Sequence, residues 1–496
     1  MLKTARISLA KTTGLSVLLA LVLASCSSSQ TPVNQTPATQ GANLSSAPLT
    51  TAMPKAEYYQ TVTLDSSSDK AALERQAGQS GGKVLIFSKQ GGYAVVGYLH
   101  NPGFSSLSGG GKLQKNSDLV AALGSASAWA TGSASAWATG SASAWATGSA
   151  SAWATGSASA WATGSASAWA TGSASAWATG SASAWATGGG VEYKLMPPNT
   201  AAWTKINLMQ AQQSGSHLGA GVKVAILDTG ADLQHTMLSP ALAPSSDLWD
   251  FVDNDATPQE VPLERDSNGV GVLGHGGYGH GTNIAGIVRQ MAPAAKIMPL
   301  RVLASDGSGD PVNVAAAIEW AISKGANVIS LSLGTESKEQ VLEDAIDHAT
   351  SQGILVVSAT GNTGDNKVLY PASFAGTSVK RLSVSSVGVN DVRSSFATFG
   401  SKVEIAAPGE QIYSAAPDSR LAAWSGTSMA TPVAAGVAAL ALGESTGAHT
   451  TCNTLSILEQ TAAPLVGQGL GSGRLDAGAA LSALQSHSFT SSVECP

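Results

Sequence analysis

Charge is scarce in this chain. Asp, Glu, Lys and Arg make up 12% of its 496 residues, against roughly 25% in an ordinary soluble protein. Cysteine is scarcer still, at 3 residues, which excludes a small scaffold stapled by disulfides. No apolar run reaches the ~20 residues that a membrane-spanning helix needs. The net charge of −6 offers no basic face for phosphates, so nucleic acid is not expected as a partner. What is present is a 43% apolar fraction and 55 glycines. That is enough to build a large core and excludes wholesale disorder. At ~150 residues per domain the length suggests about three units.

The charge is also unevenly spread. Residues 1–189 carry a net +5 and residues 190–496 a net −11, with nothing charged between Asp118 and Glu192. The two parts are therefore different objects.

The chain opens with Lys3, Arg6 and Lys11, followed by a short apolar run over residues 14–24. This is the plan of a secretory signal peptide over residues 1–25. It ends in Leu23-Ala24-Ser25-Cys26, which resembles the bacterial lipobox. The resemblance implies acylation of Cys26, with the membrane engaged only through that lipid anchor. Residues 26–54 are rich in Ser, Thr, Pro, Gln and Ala and read as a flexible tether.

Residues 55–118 carry signals for a small domain. A strand is expected over residues 58–64 and a helix over 68–79, with Asp69 near its start and Leu73 on its apolar side. Strands over 83–88 and 93–99 flank Gln90-Gly91-Gly92, a hairpin signal. A unit of this size stands near the lower limit for independent stability, so a partner surface is expected.

Residues 119–195 read as an octapeptide-repeat linker, uncharged up to Glu192. Within it, Gly-Ser-Ala-Ser-Ala-Trp-Ala-Thr occurs eight times, from Gly124 to Thr187. The period is even, so in an extended chain every Trp falls on one side. In a helix the tryptophans would drift by about 80° per repeat, and each repeat carries a glycine. Stacked short strands or a disordered chain are thus favoured over a helix. A sheet-forming spacer and a merely expanded linker are both compatible with the repeat.

From residue 196 to 496 strand and helix signals alternate, the pattern of a parallel α/β sheet. A buried strand over 222–227 leads into Asp228-Thr229-Gly230, at the strand end where such sheets gather their chemistry. Gly279-His280-Gly281-Thr282 opens a helix-compatible stretch, and its glycines admit other backbone close to the imidazole. Gly426-Thr427-Ser428-Met429-Ala430-Thr431-Pro432 precedes a stretch apolar on all sides. That places Ser428 at the amino end of a buried helix, where N–H groups favour an oxyanion. Each piece alone has a bland reading as a turn, a structural histidine or a cap.

Together, and in the order Asp228, His280, Ser428, these motifs resemble those of the subtilisin-like serine peptidases. The resemblance covers about residues 196–480. It implies an α/β subtilisin-like three-layer fold with a mostly parallel sheet, and a serine endopeptidase acting on protein or peptide substrates through an acyl-enzyme. It implies Ser428 as nucleophile, His280 as general base and Asp228 as the group that orients the imidazole. Asn362, at the Gly-Asn end of a buried strand expected over 354–362, is the implied oxyanion donor. Ser332, Leu333 and Gly334 would pair with substrate backbone, and Ser358, Ala359, Thr360 and Gly361 would wall the S1 pocket. No cofactor is required for the chemistry. Structural calcium is common in the family, although the run Asp250, Asp253, Asp255 does not have a calcium-loop spacing.

The chain departs from the family pattern at Asn283, commonly His, and at Thr236, commonly Pro; neither is a triad position. An α/β-hydrolase is excluded because its order runs Ser, Asp, His, whereas serine comes last here. An inert adhesive surface protein is the remaining alternative. The resemblance also implies that residues 55–118 are a ferredoxin-like α+β propeptide that inhibits the site, with self-cleavage between Leu123 and Pro198. It carries seven basic against five acidic residues. Cys452 and Cys495 could form a disulfide in an exported protein. Export, to the cell envelope as a lipid-anchored precursor or to the exterior after maturation, is the expected destination.

Overall fold

A computed structural model describes residues 56–102, 107, 110–116, 119–121, 199–375, 380–444 and 451–486, with four Thr-Gly pairs of the octapeptide array. The signal peptide, the tether, Cys26 and Cys495 lie outside the described residues. No helix among the described residues is long and apolar enough to cross a membrane.

The chain begins as β1 (Tyr58–Thr63), α1 (Lys70–Gln79), β2 (Gly82–Ser88) and β3 (Tyr93–Tyr98). Asp69 caps α1 by accepting the Ala71 and Ala72 N–H groups, satisfying donors that a helix start leaves free. A short β4 (Gln114–Lys115) completes an antiparallel sheet of order β2-β3-β1-β4. One face of this sheet, with Val62, Ala94 and Val96, packs on Leu73 and Ala77 of α1. The other face, with Tyr59, Leu85, Ile86, Tyr93 and Val95, is buried in a core shared with the large domain.

The next strand, β5 (Leu119–Ala121), falls on the linker side of the boundary expected after residue 118. Three residues carry no periodicity, and this strand draws its pairing entirely from the large domain. Within the array, Thr147-Gly148 pairs in parallel with Thr155-Gly156, and Thr163-Gly164 with Thr171-Gly172. Each partner stands one octapeptide away.

The large domain starts with α2 (Thr200–Lys205) and α3 (Leu208–Ser214). Its sheet strands are β6 (Lys223–Asp228), β7 (Trp249–Asp250) and β8 (Lys296–Arg301). Two short strands, β9 (Ser308–Gly309) and β11 (Leu333–Gly334), stand outside that sheet, while β10 (Val328–Leu331), β12 (Leu355–Ala359), β13 (Arg381–Val387) and β14 (Ile405–Pro408) extend it. The result is a seven-stranded sheet of order β7-β8-β6-β10-β12-β13-β14, parallel throughout.

Alternate residues of each strand feed two cores. Val224 and Ile226 face one side with Val328, Leu355 and Val357. That side is covered by α4 (His280–Met291), α7 (Thr427–Glu444), α8 (Thr451–Gln460) and α9 (Ala477–Ser486). Ala225, Leu227, Ile329 and Val356 face the other side, covered by α5 (Pro311–Ser323) and α6 (Gln340–Ser351). Between β14 and α7, β15 (Ile412–Ala416) and β16 (Arg420–Trp424) form a hairpin. This is the α/β three-layer arrangement expected, since β-strands buried on both faces read as continuous apolar runs.

The small sheet rests on α5 and α6. Tyr93 donates to Glu319 Oε1 at 2.6 Å, Ser88 to Glu319 Oε2 at 3.0 Å and Asn116 to Asp310 Oδ2 at 2.7 Å. Tyr59 donates to Glu339. Neutral donors thus meet carboxylates in these contacts, rather than the lysines and arginines suggested by the charge balance. Each buried apolar side chain contributes about 1.5–3 kcal/mol, whereas a unit of this size has only about 3–5 kcal/mol to lose. Residues 55–121 expressed alone are therefore expected to show no cooperative thermal transition by circular dichroism. Mixing with the separately expressed large domain should restore one; a sharp transition in isolation would contradict this.

Candidate active site

Strand β6 delivers Asp228 at its carboxyl end, and α4 begins with His280. The two elements meet closely because glycine lies at their junction. Gly279 takes a φ of 96° just before the helix, and a Cβ on Gly281 would stand 2.1 Å from the Gly230 carbonyl oxygen. His280 Nδ1 then lies 2.7 Å from Asp228 Oδ1, with both side chains 1% exposed. Asp228 Oδ1 also accepts the Thr229 N–H at 2.7 Å. Burial opposes a charged imidazole, but the charge and hydrogen bond of Asp228, with Glu260 beyond it, outweigh burial and raise the His280 pKa above its ordinary value.

Ser428 is the second residue of α7 and is fully buried. Its Oγ donates to the Ser332 carbonyl at 3.4 Å, and buried His280 Nε2 has no hydrogen-bond partner among the described residues. The serine–histidine bond expected for a nucleophile and its base is therefore unmade in this rotamer. Such bonds are often loose before substrate is present. Ser332 is tied to the same helix start, its Oγ donating to the Ser428 carbonyl at 2.9 Å.

Asn362 stands beside the residue that precedes Ser428. Its Oδ1 accepts the Thr427 N–H at 2.9 Å and the Thr427 hydroxyl at 3.0 Å. These bonds fix which end of the amide is oxygen and hold the side chain at the start of α7. Gly361, at a φ of 110°, turns the chain out of the strand before Asn362. Ser358 and Ala359 end β12, and Thr360 and Gly361 follow, all four buried. Leu333 and Gly334 form β11, one residue beyond Ser332.

Between β9 and β11 lies β5. Val120 pairs with Ser308 and Leu119 with Gly309 on one side, and Ala121 with Leu333 and Val120 with Gly334 on the other, all antiparallel. Leu119 is fully buried, in the core that holds Leu303, Val312 and Leu333. The groove edge at Ser308-Gly309 has no sequence signal, because a two-residue strand shows no pattern.

Sequence reading also missed Glu260, which lies in a loop without periodicity and is buried against Thr229 and Thr282. His275 is exposed and paired with Glu264, as suits a loop residue. Asn283 is buried in α4, bonded weakly to the Ala415 and Ala422 carbonyls. The acidic run is gathered on an arginine: Arg301 Nη1 donates to Asp250 at 2.8 Å and to Asp253 at 2.5 Å. Among the described residues no three His, Cys, Asp or Glu side chains are grouped to hold a metal ion. Asp250 and Asp253 thus hold a guanidinium, and Asp255 Oδ1 accepts the Thr257 N–H. Cys452 lies in α8, and its expected partner Cys495 is outside the described residues.

The subtilase family model matches residues 219–478. Over 261 residues the chain is 40% identical to thermitase of Thermoactinomyces vulgaris, a match covering 51% of this chain and 84% of thermitase. A thermostable alkaline protease of Halalkalibacterium halodurans is 38% identical over 244 residues, covering 47% of this chain and 60% of that protein. Subtilisin Savinase of Lederbergia lenta is 37% identical over 231 residues, covering 45% and 76% respectively. With the motif order seated at these strand and helix ends, and a family match across just over half its length, the chain belongs to the subtilase family and is a serine-type endopeptidase.

Proposed function

We propose that the chain cleaves peptide bonds through Asp228, His280 and Ser428, and that residues 55–121 are its own inhibitory propeptide. The observation that carries the first part is the 2.7 Å bond between two fully buried groups, His280 Nδ1 and Asp228 Oδ1. That bond puts the proton on Nδ1 and leaves Nε2 as the base. Ser428 Oγ attacks the scissile carbonyl as Nε2 takes its proton, and His280 then returns the proton to the leaving amine. Charge develops on the carbonyl oxygen. The Ser428 N–H at the positive end of α7 and the Asn362 amide nitrogen are its donors.

The propeptide reading is supported by β5. An extended segment bonded on both sides, by Ser308-Gly309 and by Leu333-Gly334, uses the groove as a substrate strand would. In antiparallel register Ala121 stands opposite Leu333, one residue beyond Ser332, whose carbonyl accepts the Ser428 hydroxyl. The proposed self-cleavage follows just past this strand, at the Ala122–Leu123 bond. It would sever the catalytic domain from a lipid anchor at Cys26 and leave the octapeptide array at the new amino terminus. The secretory signal and lipobox make export as an anchored precursor part of this reading.

Ser428→Ala should abolish casein hydrolysis, whereas Asn362→Ala should lower kcat about 10²–10³-fold with little change in KM, the range known for one such donor in a subtilisin. Because the His280 pKa is raised, the ring becomes protonated, and loses its function as base, already above the ordinary histidine value as pH falls. The acid limb of kcat/KM should accordingly lie above ~6.5. Amino-terminal sequencing of the active protein should begin Leu123-Gly124-Ser125, and Ser428→Ala should leave a membrane-associated precursor that Cys26→Ala releases. A mature terminus beyond Thr187 would refute the register, and unchanged fractionation of Cys26→Ala would refute acylation.

A further inference from the structure

We propose that Glu260 is a positioning residue for the Asp228–His280 pair, its carboxylate lacing the strand end that carries Asp228 to the helix start that carries His280. This rests on the triad reading above. Glu260 is buried, and its oxygens collect donors from both sides of the junction. Oε1 accepts the Thr229 hydroxyl at 2.6 Å and the Gly279 N–H at 2.7 Å. Oε2 accepts the Thr282 N–H at 3.2 Å and the Thr282 hydroxyl. Its backbone is pinned to the same place: the Glu260 N–H donates to the Ala231 carbonyl at 3.1 Å, and the Ala231 N–H to the Pro258 carbonyl at 3.0 Å. A carboxylate at the first turn of α4 also meets the positive end of the helix.

Thr229 transmits the state of Glu260 to the pair. Its Oγ1 accepts the Gly281 N–H at 2.9 Å and lies 3.3 Å from Asp228 Oδ1. It has one proton to give. While Glu260 is ionised that proton goes to Oε1 at the shorter distance, and Asp228 Oδ1 is kept for His280. When Glu260 binds a proton it must surrender acceptor capacity, and the Thr229 hydroxyl turns to Asp228 Oδ1, competing with Nδ1–H. The charged and titratable groups around Glu260 are Asp228, His280 and Tyr278, while Arg301 nearby is committed to Asp250 and Asp253. Burial, with Asp228 adding in the same direction, pushes the Glu260 pKa up to about 7. Its charge in turn raises the His280 pKa, so the two protons are coupled.

The test is the pH profile of kcat/KM on a peptide substrate, normalised to active sites by fluorophosphonate titration. The wild-type acid limb should fall with a slope steeper than one proton. Glu260→Gln should give a one-proton limb displaced to lower pH, because a negative charge that raises the His280 pKa is gone. Its kcat should fall about 10- to 100-fold with KM unchanged, the cost of a misplaced catalytic group. Glu260→Asp should restore the steep limb. If Glu260→Gln does not fold, Thr229→Val serves: it keeps the carboxylate and should still reduce the limb to one proton. A one-proton wild-type limb, or variants with the wild-type profile, would overturn the inference. Turnover by Ser428→Ala would instead overturn the triad reading.

Discussion

Everything at this site depends on how closely one strand end approaches one helix start. The Gly281 Cα sits where any side chain would strike the Gly230 carbonyl, and only that contact lets His280 Nδ1 reach Asp228 across 2.7 Å. The bond is made in a dry interior, where an ion pair or strong hydrogen bond is worth far more than at a surface. It both orients the ring and biases it toward the charged form. Ser428 is then brought in by a separate element, α7, whose start is held by Asn362, which accepts the Thr427 N–H, and by Ser332. The parallel sheet supplies the common frame, since Asp228, Ser332 and Thr360 all stand at or just beyond carboxyl ends of its strands.

The small amino-terminal sheet and the large domain complete one another. Five side chains on one sheet face share a core with α5 and α6, and the chain leaves that sheet as β5 to fill the groove between β9 and β11. A segment near the lower size limit for independent stability is packed on the large domain, and in the proposed propeptide reading the same surface is the one it blocks. Occupancy of the groove and folding of the segment are thus one equilibrium. Cutting the chain after β5 would convert an intramolecular contact into a bimolecular one, which weakens with dilution.

Much of the site was legible because its residues lie in short contiguous motifs. Asp228-Thr229-Gly230, Gly279-His280-Gly281 and Gly426-Thr427-Ser428 each carry their own turn or cap chemistry, so their order could be read directly. The helix capped by Asp69 and the Gly91-Gly92 hairpin were legible for the same local reason. What escaped were features defined by a partner. Glu260 is an ordinary loop glutamate until Thr229, Gly279 and Thr282 are folded around it. Ser308-Gly309 is a strand because it pairs with β5, and Leu119–Ala121 because it pairs with both β9 and β11. The acidic run at Asp250 looked like surface or metal chemistry, and its partner Arg301 stands some fifty residues away in sequence.

The central claim is that Ser428, activated by the buried Asp228–His280 pair, is the nucleophile. The most direct measurement is to label the active protein with a fluorophosphonate, digest it and locate the added mass. The account expects a single adduct on Ser428, absent when the protein is labelled at low pH with His280 protonated. An adduct on any other serine, or labelling of Ser428 that is indifferent to the protonation of His280, would contradict it.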